Sequence, residues 1–106
     1  MPVIVLKRVQ RAIQKFNLRG LRSVQPMTER EHKSPKSHKS DGYCFLGICE
    51  RMKKGRREIR LWMPDPAAAT MILAHELAHL REWNHGVKHR NLSWRIMEFW
   101  LDEDLL

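Results

Sequence analysis

Residues 64–86 read PDPAAATMILAHELAHLREWNHG, and the fold of the chain turns on this run. Asp65 is a good helix N-cap and Pro66 suits the first helical position. The Ala67-Ala68-Ala69 start and the apolar run Met71-Ile72-Leu73-Ala74 predict a buried helix that continues through His75-Glu76-Leu77-Ala78-His79. Residues four apart on a helix point the same way, with Cβ atoms about 5–6 Å apart, so both imidazoles can reach one zinc at about 2.0–2.1 Å. Glu76, one position on, is misdirected for ligation. It can instead hydrogen-bond a water on the metal and take its proton. Leu73, Leu77 and Leu80 would anchor the helix in the core. With six His and eight Glu in 106 residues, chance alone gives HExxH in roughly 2% of shuffled chains, so the independent helix signals around the motif decide in its favour.

A site of this kind needs a third ligand. His85 lies six residues past His79, about 240° further round on a continuing helix, and would face away. The helix must therefore stop between them, and Trp83-Asn84-His85-Gly86 offers residues that tolerate positive φ. Glu98, nineteen residues after His79, is the rival carboxylate ligand. Glu82 and His89 are nearer but geometrically less natural.

Outward from the motif, Val5, Val9, Ala12, Ile13 and Phe16 mark one face of an N-terminal helix over 5–19, closed by Gly20. Residues 21–27 suit a short strand limited by Pro26. Residues 28–42 carry no apolar side chain and read as a mobile loop, with His32 and His38 solvated. Tyr43–Arg51 and Arg56–Met63 predict two strands around a 52–55 turn, Ile59, Leu61 and Met63 sharing one face. A final helix is expected over Leu92–Asp104, buried through Trp94, Met97, Trp100 and Leu101. The expected class is α+β: an N-terminal helix, a small antiparallel sheet, the HExxH helix and a C-terminal helix in one domain, 1–106. The strand ending near Met63 could offer its edge to an extended peptide.

Charge is lopsided. Residues 1–60 carry sixteen Lys/Arg against five Asp/Glu (+11), and residues 61–106 four against seven (−3), which sum to the net +8. A basic N-terminal half implies a polyanionic partner such as DNA, or acidic substrates. The apolar run Val3–Leu6 is too short for a signal core or a membrane span, so a cytoplasmic protein is expected. Cys44 and Cys49 make no disulfide framework and read as thiols in a reducing compartment.

The stretch Gly42–Trp94, with Ile59-Arg60-Leu61 ahead of HELAHLREWNHG, resembles the SprT-like and YgjP-like zinc metallopeptidases. That group includes Spartan-related proteases, which digest proteins trapped on DNA. The resemblance implies His75, His79 and His85 as zinc ligands, Glu76 as general base, a protein or peptide substrate and a minimal zincin-like fold. The chain departs from the pattern after the third ligand, where members often carry Phe-Trp and this sequence has His89-Arg90. Two functions are expected to compete: hydrolysis of peptide bonds at an open zinc, or a non-catalytic nucleic-acid-binding module that zinc merely staples.

Overall fold

The apolar spacing near the N-terminus produces α1 (Val3–Phe16), which buries Val5, Val9, Ala12 and Phe16. The helix stops earlier than Gly20. Asn17 adopts the left-handed conformation (φ 53°), and Leu18 N–H closes back on the Ile13 carbonyl at 3.2 Å. Asn accepts that conformation readily, which makes it the cap. Gly20 (φ 85°) instead turns the chain into β1, and its carbonyl accepts from Arg57 N–H at 2.6 Å. The computed structural model describes residues 1–33, 46–51 and 55–106. The expectations for 34–42, for Tyr43–Phe45 with Cys44, and for the turn at 52–54 lie outside the described residues.

The strands are β1 (Leu21–Pro26), β2 (Gly47–Arg51) and β3 (Arg57–Leu61), ordered β1-β3-β2. β2 pairs antiparallel with β3, Gly47 opposite Leu61 and Arg51 opposite Arg57. β1 pairs with β3 in parallel, so the sheet is mixed where an antiparallel one was expected. β3 therefore has both edges occupied, and the edge strands among the described residues are β1 and β2. This corrects the idea that the Met63 strand presents an edge. Alternation along β3 follows the sequence: Ile59 and Leu61 are buried, while Arg60 lies on the other face.

The segment after β1 is more ordered than its polarity suggested. Thr28 caps a single turn, α2 (Glu29–His32), through a capping box: Thr28 Oγ1 accepts from Glu31 N–H and the Glu31 carboxylate accepts from Thr28 N–H. The sheet's polar face holds this turn. Arg60 binds Glu31 at 2.5 Å and Glu50 at 2.7 Å, and His32, expected in solvent, stacks on Trp62 at 3.8 Å.

The decisive helix is α3 (Pro66–Ala78), begun as expected by Asp65, whose side chain accepts from Ala68 N–H at 3.1 Å. Leu73, Ala74, Leu77 and Ala78 are essentially inaccessible, packed on Ile59 and Leu61 below and on α4 (Val87–Asp102) beside. α4 begins five residues before Leu92. Its buried stripe is His89, Leu92, Ile96 and Trp100, so Trp94 (60% exposed) and Leu101 (65%) fall on the flank away from the core. Trp100 donates from Nε1 to the Arg8 carbonyl at 2.9 Å, tying α4 to α1. The class is α+β, as expected. Among the described residues no helix is long and apolar enough to cross a membrane.

Two glycines separate packing from habit. A Cβ on Gly47 would lie 2.2 Å from Ile72 Cγ2 and 3.3 Å from Glu76 Cγ, whereas one on Gly86 would meet nothing within 4 Å. Gly47→Ala should therefore cost about 1–3 kcal/mol by overpacking, and Gly86→Ala should stay within about 0.5 kcal/mol of wild type. Urea denaturation checks both. Equal stabilities for the two variants would contradict this packing.

Candidate metal centre

α3 is buried on its sheet and α4 sides, which leaves His75 and His79 facing one cleft. Their rings stand edge to face, 4.9 Å apart. The helix then ends. Its last turn tightens, with Leu80 N–H to the Leu77 carbonyl at 3.0 Å and Arg81 N–H to Ala78 at 3.2 Å. The positive φ expected of Trp83-Asn84-His85-Gly86 is not used. Asn84 is not among the positive-φ residues, and Gly86 is extended (φ 164°). The Arg57 guanidinium braces the turn instead, donating to the His79 carbonyl and lying 4.7 Å over the Trp83 ring.

The loop brings His85 back to the helix. Its Nε2 is 3.1 Å from Nε2 of His75, and its ring centroid is 4.7 Å from that of His79. Two nitrogens sharing one tetrahedral zinc at 2.0–2.1 Å would be about 3.3 Å apart. The spacing fits a shared ion. A further imidazole joins them: His89, 3% exposed, lies 4.4 Å from His75 and 4.1 Å from His79, ring to ring. Nitrogens of His75, His79 and His89 all lie within 4.8 Å of one another, so these three could hold a metal ion. From the sequence His89 is a geometrically less natural ligand than His85, and the structure nonetheless brings it into the cluster. The signal was present: with His89 included, the apolar positions fall at i, i+3, i+7 and i+11 of one stripe. Glu98 is exposed on α4 and stands outside this group. Glu82 contributes its backbone carbonyl instead.

Hydrogen bonds fix which nitrogens are available. Carbonyls only accept, so His79 Nδ1 must donate to the Glu82 carbonyl (3.1 Å), which leaves the lone pair on Nε2. By the same reasoning His89 Nε2 donates to the His75 carbonyl at 2.9 Å, one of the carbonyls freed at the end of α3. Burial, then the crowding of His89, His79 and His85, pushes His75 down to about 4. Burial also lowers His79. Neutral imidazoles are the form that binds metal.

Glu76 completes the site. Its residue is 5% exposed, its Oε2 is buried without a hydrogen-bond partner, and its Oε1 is 3.8 Å from His75 Nε2. Burial raises its carboxyl to about 7. An orphaned carboxylate oxygen beside converging imidazoles is what a metal-bound water would satisfy. The cleft of about 700 Å³ runs along β2 from Gly47 to Glu50, past Glu76, to Trp83 and His85. Cys49 borders it, and burial followed by the neighbouring Glu76 charge pushes its thiol up to about 11.

No family model, curated protein or solved structure matches this chain.

At pH 8 Cys49 should alkylate about a hundredfold more slowly than an ordinary thiol, because the thiolate is the reactive form. Urea should restore ordinary reactivity. Mass mapping of iodoacetamide adducts measures this, and rapid labelling of the folded protein would contradict the placement of Cys49.

Proposed function

We propose that this chain is a zinc-dependent metallopeptidase of the SprT-like kind, with His75, His79 and His85 holding the metal and Glu76 as general base. The observation that carries the proposal is the buried Oε2 of Glu76, without a hydrogen-bond partner among the described residues, in a cleft lined by His75, His79 and His85. Bound there, zinc would lower the pKa of a water towards 7 and polarise the scissile carbonyl. Glu76 accepts the proton of the attacking water and delivers it to the leaving amine, a role suited to a carboxyl raised to about 7. The Glu82 carbonyl holds the His79 ring so that Nε2 faces the cleft. β2 borders that cleft as an edge strand, so an extended peptide can add to its backbone beside Glu76.

The substrate is a protein or peptide, and proteins associated with DNA are the class the basic half favours. Lys7, Arg11, Lys15, Arg19 and Arg22 are all exposed, on α1, in the connection that follows it and at the start of β1. A second reading has support from His89: four imidazoles could close a zinc shell, leaving a non-catalytic, zinc-stabilised nucleic-acid-binding module. A cytoplasmic location goes with either reading.

Glu76→Gln should retain zinc while proteolysis of an unfolded protein falls about 10²–10⁴-fold. Metal analysis beside a cleavage assay reads both, and full activity in that variant would overturn the mechanism. DNA binding has its own test. If two or more phosphates are neutralised, affinity should fall more than about tenfold between 50 and 200 mM salt. Absent or salt-insensitive binding, measured by fluorescence anisotropy, would reject DNA as a partner.

A further inference from the structure

Four imidazole rings lie together, and nitrogens of three of them, His75, His79 and His89, fall within 4.8 Å of one another. The six centroid separations among the four are 4.9 Å (His75–His79), 5.1 Å (His75–His85), 4.4 Å (His75–His89), 4.7 Å (His79–His85), 4.1 Å (His79–His89) and 5.3 Å (His85–His89). Four rings bound to one tetrahedral ion would have centroids about 5 Å apart, given metal–nitrogen bonds of 2.0–2.1 Å. The two outer members differ in how they are held. His85 is exposed on the loop between the helices, whereas His89 is fixed in the first turn of α4, 3% exposed, with its proton committed to the His75 carbonyl through Nε2. That bond leaves the lone pair of His89 on Nδ1.

We infer that His89 is an alternative metal ligand: His75 and His79 form a fixed pair, and His85 or His89 supplies the third nitrogen. The inference rests on the metal-binding part of the proposed function and adds a regulatory feature to it. When His89 ligates, the His85 loop is released from the ion. When both ligate, the corner needed for water is closed. The metal is thus retained through either arrangement, and the vacant corner is lost only when both histidines ligate.

The alternative is that His89 only positions His75 by capping its carbonyl. Outer-sphere partners of that sort typically change metal affinity 10–100-fold, whichever ligands are present. A double-mutant cycle separates the roles. Cobalt(II) affinity is measured by its visible absorption for wild type, His85→Ala, His89→Gln and the double variant. Gln at 89 keeps a donor for the His75 carbonyl, so the cap survives, and circular dichroism reports whether each variant is folded.

Expected is strong non-additivity. Each single variant should lose less than about tenfold, and the double variant more than about a thousandfold, because the remaining pair cannot hold the ion alone. Additive losses, or a His85→Ala loss as large as that of the double variant, would overturn the ligand role of His89 while leaving the metal centre standing. Failure of the wild type to bind cobalt or zinc would overturn both.

Discussion

The burial of α3 is the constraint on which the rest depends. Leu73, Ala74, Leu77 and Ala78 fill two sides of the helix and are sealed by Ile59, Leu61, Leu92, Ile96 and Trp100. Full burial of a leucine contributes about 1.5–3 kcal/mol, so the helix cannot rotate about its axis without losing that at Leu73 and Leu77. His75, Glu76 and His79 have one direction left, and it is the cleft. Gly47 lets β2 come against the same helix at Ile72 and Glu76. The strand both shapes the cleft and removes water from the carboxylate.

The end of α3 is the second organising feature. A helix terminus leaves carbonyls without intrahelical donors, and here side chains supply them: His89 to the carbonyl of His75, Arg57 to that of His79. Capping and site assembly are the same set of contacts. One of these donors is itself a ring of the cluster: the bond to the His75 carbonyl fixes the tautomer of His89, as the Glu82 carbonyl fixes that of His79.

Much of this was legible in the chain itself. Asp65-Pro66 placed the start of α3, alternation at Ile59 and Leu61 placed β3, and the four-residue spacing of His75 and His79 placed the cleft. What escaped did so for physical reasons. The parallel pairing of β1 with β3 is a non-local choice that no local pattern encodes. The polar run His89-Arg90-Asn91 hid the first turn of α4, because a buried histidine looks like a surface residue until its partner, a helix-end carbonyl, is known. The turn before His85 does not use the positive φ that Asn and Gly tolerate; it arises from a tightened last turn braced by Arg57. The Thr28–Glu31 capping box was written in the sequence and was outweighed by the polarity around it.

In the proposed function one zinc is held by histidine nitrogens of α3 and the following loop, with His89 of α4 as the alternative third ligand. Zinc K-edge X-ray absorption on the purified protein tests it most directly. The prediction is a nitrogen shell at about 2.0–2.1 Å with the outer-shell scattering of several imidazole rings. A protein that retains no zinc, or a sulfur shell at about 2.3 Å, would contradict it.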